Sequence, residues 1–144
     1  MSTEENKNLV RRFIAEVVNK NNVALVDEFF APPLREGVKR THVALHAGPH
    51  ATWAGFHSTI EDMVAEGDEV VARFTFHGMH QGPWEGLPPT GKMATWPAVI
   101  IYRITAGRIV DFWISQDNLS VMRQLGALPA LSRLPRTRRH DRRA

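Results

Sequence analysis

Apolar residues recur in adjacent pairs every four positions near the start of the chain. The pairs are Leu9 with Val10, Phe13 with Ile14, and Val17 with Val18. This period predicts an amphipathic helix of about five turns, and Ser2 with Glu5 has the spacing of a capping box that would begin it. A second, short apolar stripe over residues 25–30 predicts another helix, which must end near Pro32 and Pro33.

The apolar period shortens to two in the second half of the chain. The segments that predict strands are 59–65 (weakly), 70–77, 93–105 and 108–115. Ala106–Gly107 is a hairpin signal between the last two, and residues 118–125 predict a short helix that Gly126 closes. Helices followed by long antiparallel strands predict an α+β domain in which the helices cover one face of the sheet.

The strand at 93–105 is apolar on both of its faces. One face carries Trp96, Ala98, Ile100 and Tyr102, and the other carries Val99 and Ile101. A strand of this kind fits a curved sheet with one face toward a cavity or a subunit interface. The loop at 78–91 contains three prolines and predicts a lid or a pocket rim.

Composition restricts the class of protein further. The chain has 144 residues, of which 43% are hydrophobic and 23% charged, so we expect one globular domain. The absence of cysteine excludes disulfides and thiolate metal sites. The first residues are polar and acidic, unlike a secretory signal, and we therefore expect a cytoplasmic protein.

Positive charge is concentrated at the C-terminus. Residues 133–144 contain six arginines and one aspartate. The net charge of this segment is +5. Since the whole chain has a net charge of +3, the other 132 residues carry −2. Such a segment can bind nucleic acid or acidic membranes, but no aromatic side chain is interleaved with the arginines. We favour a flexible, solvated tail over 129–144, with no nucleic-acid or membrane partner.

Several short motifs resemble the SnoaL-like polyketide cyclase family. They are VDEFFAP at 26–32, IEDMVAEGD at 60–68, VVARF at 70–74, GMHQG at 78–82, GLPPTGK at 86–92, GRIVDFW at 107–113 and QLG at 124–126. The resemblance spans nearly all of residues 5–126 and implies an α+β cone domain over 1–128. In that fold, a curved antiparallel sheet wraps around N-terminal helices and encloses an apolar pocket.

The resemblance also implies an activity. Such cyclases close a ring in a small polyketide-like substrate by an intramolecular aldol step, without metal or organic cofactor, and commonly form homodimers or homotetramers. An aspartate before the C-terminal helix is their acid/base, and Asp117 holds that position. One departure is the segment at 48–58, where the family has a longer helix that must here be shortened or lost. Residues 35–46 match poorly and supply no candidate.

Two residues are catalytic candidates. Asp117 could transfer the proton, because an apolar pocket raises the pKa of a carboxylate toward the working pH. Aspartate is also a favoured N-cap, and capping is its alternative role. His80 could donate a hydrogen bond to the oxyanion, or could simply bond to backbone at a strand end. His77 points to the opposite face of the strand, and the other histidines show no metal-ligand spacing, so we expect no metal.

Aromatic side chains are candidates for binding a flat substrate. They are Trp53, Phe56, Phe74, Trp96, Tyr102 and Trp113, with Trp96 and Trp113 preferred; ordinary core packing is the alternative for each. The sequence thus predicts a cofactor-independent cyclase acting on a polyketide or related natural-product intermediate. Ring closure by epoxide opening or cycloaddition is a variant, and a non-catalytic module that binds a small ligand is the other possibility.

Overall fold

The computed structural model describes residues 2–128, so the predicted tail at 129–144 lies outside the described residues. Helices come first, a four-stranded antiparallel sheet follows, and a short helix ends the described chain. The α+β prediction is confirmed. None of the helices in this part of the chain is long and apolar enough to cross a membrane.

Four α-helices and several shorter helical turns make up one layer. They are α1 (Thr3–Phe13) with a π-helical turn (Ile14–Val18), a 3-10 turn (Val23–Leu25), α2 (Val26–Phe29), α3 (Pro32–His42) with a second π-helical turn (Val43–Ala47), and α4 (Asn118–Gln124). The capping box is formed: Ser2 Oγ accepts from the Glu5 N–H at 3.1 Å, and Glu5 Oε2 accepts from the Ser2 N–H at 3.0 Å.

Helix α3 was not predicted. Pro32 and Pro33 do follow the end of α2, but they also occupy the first positions of α3. Proline fits there because the first N–H groups of a helix have no intrahelical partner and its fixed φ is already helical. In the segment at 48–58, where the family's helix was expected to be shortened or lost, no helix forms and the chain enters the first strand at Trp53.

The sheet has the order β1-β2-β3-β4, with every neighbouring pair antiparallel. The strands are β1 (Trp53–Glu66), β2 (Glu69–His80), β3 (Met93–Thr105) and β4 (Arg108–Gln116). β1 starts six residues before its predicted position and has two register shifts, one of them beside Gly55, whose φ is +61°. Bulges of this kind bend a strand and increase its twist.

The inner face of the sheet packs on the helices. Alternate residues of β2 and β3, including Phe74, Phe76, Trp96 and Tyr102, are buried with apolar residues of α1 and α2. The Asn19 amide fastens the end of the first helical segment to β1, because it exchanges hydrogen bonds of 2.9 and 2.8 Å with the Ser58 backbone.

The Gln124 side chain joins helix α4 to the sheet by two hydrogen bonds. The Gln124 amide donates to the Thr95 carbonyl oxygen at 2.7 Å, and its Oε1 accepts from the Thr95 N–H at 2.8 Å. Val121 and Leu125 of the same segment are buried in the core. Gln124, the glutamine of the QLG motif, therefore has a structural role: its amide bonds to the Thr95 backbone of β3 as a neighbouring strand would.

An apolar row crosses the outer face of the sheet. Val64, Val71, Ile101 and Trp113 are in register on the four successive strands. Val64 and Trp113 are each 59% exposed, whereas the two central members are half-buried. The expected homodimer or homotetramer stays a prediction.

Candidate active site

A cavity of about 410 Å³ lies between the helices and the inner face of the sheet. Its wall is mainly aromatic and aliphatic, with Phe13, Phe30, Leu45, Phe76, Ile100 and Phe112 among its members. A volume of this size, with apolar walls and few polar groups, is typical of sites for small organic ligands.

Four of the predicted aromatic residues border this cavity: Trp53, Phe56, Trp96 and Tyr102. The ring centroids of Trp53 and Trp96 are 4.8 Å apart, and those of Phe56 and Trp96 are 6.2 Å apart. Hydrogen bonding orients the Trp96 indole, whose Nε1–H donates to Gln116 Oε1 at 2.9 Å. These rings form a continuous wall on which a flat molecule could stack.

Two other predicted aromatic residues do not reach the cavity. Phe74 is fully buried in the core. Trp113 lies on the outer face of β4, because strand residues alternate between faces and its neighbours Phe112 and Ile114 border the cavity. The structure therefore places Trp113, a preferred candidate for substrate binding, outside the cavity, whereas Phe112 and Ile114 border it.

Asp117 occupies the N-cap of α4. Its Oδ1 accepts from the Ser120 N–H at 2.9 Å, and the side chain is exposed. The flanking residues Gln116 and Asn118 border the cavity, but Asp117 does not. The capping role is thus formed in the structure, and the acid/base role of Asp117 stays a prediction.

His80 lies behind the cavity wall. It is 0% exposed, and its ring centroid is 5.4 Å from that of Trp53. Its Nδ1 accepts from the Thr90 N–H at 3.2 Å and lies 3.0 Å from Thr90 Oγ1. Burial lowers its pKa. His80 does not border the cavity, and its contacts with Thr90 anchor the loop at 81–92. Its role at the oxyanion stays a prediction.

The loop between β2 and β3 covers residues 81–92, because β2 extends to His80, three residues into the predicted loop at 78–91. Its role as a lid or a pocket rim stays a prediction. The backbone of His80 holds its far end, with hydrogen bonds of 2.9 Å to the Lys92 carbonyl oxygen and from the Gly91 N–H. Trp84, near the middle of the loop, borders the cavity and packs on Trp53 at 6.0 Å between ring centroids. The loop therefore adds one more aromatic ring to the wall.

Two histidines that sequence reasoning did not select border the cavity. His42 ends α3, His46 lies one turn later in the π-helical turn, and their ring centroids are 5.3 Å apart. His46 also stacks on Phe56, with centroids 3.7 Å apart and an interplanar angle of 19°. The available signal was their i,i+4 spacing, which places both rings on one helix face.

The surroundings of both imidazoles favour the neutral form of the ring. Burial lowers the pKa of His42, and burial together with the neighbouring His42 lowers the pKa of His46 to about 3. His42 Nε2 and His46 Nδ1 are buried, and neither has a hydrogen-bond partner within residues 2–128. A polar atom left in this state can bond to a ligand at little cost in desolvation.

Ser58 Oγ is a third polar group of this kind, buried at the cavity without a partner in residues 2–128, and Tyr102 adds a fourth. The Tyr102 hydroxyl is buried without a partner in the described chain, and burial raises its pKa, so the phenol stays protonated. Cavity-bordering residues between 2 and 128 include no aspartate or glutamate, and Arg40 is their one permanent charge. The described residues also contain no group of three side chains that could hold a metal ion.

This chain belongs to the SnoaL-like polyketide cyclase family, whose sequence profile matches residues 8–125. The match includes both cavity-bordering histidines and the loop at 81–92. No curated protein matches at a significant level.

Solved structures share the fold. TsrD from Streptomyces laurentii is 27% identical, with a TM-score of 0.73 over 89% of this chain and 99% of its own. A SnoaL-like polyketide cyclase from Agrobacterium tumefaciens strain C58 is 18% identical, with a TM-score of 0.73 over 88% and 100%. IdmH from Streptomyces antibioticus is 23% identical, with a TM-score of 0.67 over 84% and 98%. The predicted cone fold is confirmed.

Proposed function

We propose that this protein is a cofactor-independent cyclase that closes a ring in a polyketide or related natural-product intermediate by proton transfer. The observation that carries the proposal is the combination of an aromatic cavity of about 410 Å³ with four unpartnered, uncharged polar groups, those of His42, His46, Ser58 and Tyr102. Membership of the family supports the reaction class. The assignment of residues rests on the cavity alone.

An intramolecular aldol step needs a base and a hydrogen-bond donor. In our proposal the neutral His42 imidazole removes a proton from a carbon flanked by carbonyls. The enolate carbon then attacks a second carbonyl of the same substrate, a carbon–carbon bond forms, and the new alkoxide takes the proton back from the imidazolium. The substrate is isomerised, and no external reactant is consumed.

His46 and Tyr102 are suited to the donor role. A neutral imidazole with a strongly lowered pKa is a poor base, but it still donates a hydrogen bond to an oxyanion. The Tyr102 hydroxyl is a protonated phenol beside an apolar wall, where a donor stabilises negative charge more than it would in water. Together they would stabilise the enolate and the alkoxide.

The cavity also selects the reactive shape of the substrate. A flexible chain with several carbonyl groups has many conformers, and walls that hold one folded conformer bring the reacting carbons together. Such preorganisation is worth up to roughly 7–11 kcal/mol in ideal cases. Trp53, Phe56 and Trp96 provide stacking surfaces for this purpose.

Asp117 is the alternative base. For that role its carboxylate would leave the Ser120 N–H and turn toward the cavity between Gln116 and Asn118. Conservative variants distinguish the two candidate bases, because neither glutamine nor asparagine can accept the proton. Turnover should be lost in His42→Gln if His42 is the base, and in Asp117→Asn if Asp117 is the base.

The test is turnover of uncyclised polyketide substrates, measured by product formation in liquid chromatography and mass spectrometry. We expect His42→Gln to lower kcat/KM about 100-fold or more and Asp117→Asn to leave it nearly unchanged. His57→Gln is the matched control, since His57 is exposed on the outer face. The reverse order of effects would assign the reaction to Asp117. Binding of these substrates without conversion by the wild-type protein would favour the non-catalytic module.

A further inference from the structure

Among residues 2–128, Arg40 carries the permanent positive charge that borders the cavity. Arg40 lies on α3, is exposed, and borders the cavity, so it lies at the opening rather than in the interior. Gly37 and Thr41 of the same helix border the cavity beside it. An anionic group at the opening would meet one guanidinium and no cavity-bordering carboxylate among residues 2–128.

Neighbouring basic residues of α3 are already paired, but Arg40 is not. Lys39 Nζ is 2.8 Å from Asp27 Oδ1 and 3.6 Å from Glu36 Oε1. Arg35 is 3.8 Å from Asp27 and donates to the Phe30 carbonyl oxygen. Within the described chain, Arg40 has no ion pair or side-chain hydrogen bond, so its five N–H donors are available to a ligand at the cavity.

We propose that Arg40 binds a carboxylate carried by the substrate, while the flat apolar part of the same molecule stacks inside the cavity. The proposal rests on the proposed function, because it names the class of substrate that the cyclase takes. A planar guanidinium presents two parallel N–H groups that match the two oxygens of a carboxylate. A phosphate dianion would need further cations, and no lysine or second arginine in residues 2–128 borders the cavity.

The contribution of this contact is moderate, because the site is exposed to water and salt. A charge-assisted contact at such a position is expected to strengthen binding about 10-fold at low ionic strength. The gain should shrink with added salt, since the Debye length falls from about 30 Å at 0.01 M to about 3 Å at 1 M. A purely apolar contribution would not respond in this way.

The experiment compares anthraquinone-2-carboxylic acid with its methyl ester, which differ in charge but share the flat ring system. Quenching of tryptophan fluorescence reports their binding, because Trp53, Trp84 and Trp96 border the cavity. We expect the wild-type protein to bind the acid about 10-fold more tightly than the ester at low salt. Arg40→Gln should remove this preference and leave binding of the ester unchanged, which also shows that the variant is folded.

Arg73→Gln is the matched control, since Arg73 is an exposed arginine on β2 that does not border the cavity. It should keep the preference for the acid. Equal affinity of the wild-type protein for acid and ester would overturn the proposal, as would a preference that survives in Arg40→Gln. Neither result bears on ring closure, because that function is tested separately by turnover of the His42 and Asp117 variants.

Discussion

The low pKa of His46 predicts a specific acid sensitivity of the fold. Its imidazole titrates near 6.5 in the unfolded chain and near 3 in the folded protein. Between these two pH values the unfolded chain binds more protons, so stability falls as the pH is lowered. Each pH unit in this window costs about 1.4 kcal/mol. The full loss of unfolding free energy from pH 7 to pH 5 would be about 2 kcal/mol. Because the ring is only half-buried, we expect a loss of about 1–2 kcal/mol.

Urea denaturation gives the free energy of unfolding at each pH for the wild-type protein and for His46→Gln. Glutamine keeps a polar amide at the cavity but has no titration, so the loss of stability from pH 7 to pH 5 should be about 1–2 kcal/mol smaller in the variant. A change in stability common to both pH values cancels in this comparison. His50→Gln is the control, because His50 is exposed, and it should behave as the wild-type protein.

The same loss in wild type and His46→Gln would refute the reasoning. It would mean that the folded protein accepts the proton on His46 without cost, and that the cavity is as well solvated as bulk water. The proposed donor role of His46 would then lose its physical basis, because that role requires a neutral ring held in an apolar surrounding.

Three further predictions concern single sites. Gly82→Ala should lower the free energy of unfolding by about 1–3 kcal/mol, because a Cβ there would meet the Ala51 carbonyl oxygen at 3.0 Å. Gly37→Ala in α3 should raise it by about 0.5–1 kcal/mol, because a Cβ there meets nothing within 4 Å. Equal effects of the two substitutions in urea denaturation would contradict this. Tyr102→Phe removes a buried, unpartnered hydroxyl, so turnover should fall while thermal stability is kept or raised; a large loss of stability would show that the hydroxyl has a structural partner. Asp117→Ala should cost about 1 kcal/mol through the lost cap, and Asp117→Asn only a few tenths; similar losses in both variants would rule out capping.

Local sequence patterns were enough to predict those parts of the fold that depend only on neighbouring residues. The capping box at Ser2 and the strand Met93–Thr105 lie where they were predicted, because capping and alternation are local properties. Helix α3 was missed because a proline pair is compatible both with the end of one helix and with the start of the next. Here both occur, since α2 ends at Phe29 and the same prolines begin α3.

The site was less predictable for a similar reason. β4 carries apolar residues on both faces, so its sequence does not say whether Phe112 or Trp113 faces inward; the packing of Phe30 on Phe112, with centroids 6.0 Å apart, shows which. His42 and His46 have helical spacing, but only a helix at that position makes the spacing meaningful. The family position singled out Asp117, where capping and catalysis require the same residue type.

The helix α3 with its π-helical turn supplies a disproportionate share of the site. Arg40, His42 and His46 lie within seven consecutive residues, whereas the stacking rings come from the sheet and the loop at 81–92. If these residues have the roles proposed above, substrate charge and proton transfer can change by substitutions in one short segment while the framework of β-strands stays intact. For directed evolution, this makes residues 37–46 a compact library: ten codons would vary the chemistry, and the aromatic wall would keep the overall shape of accepted substrates constant.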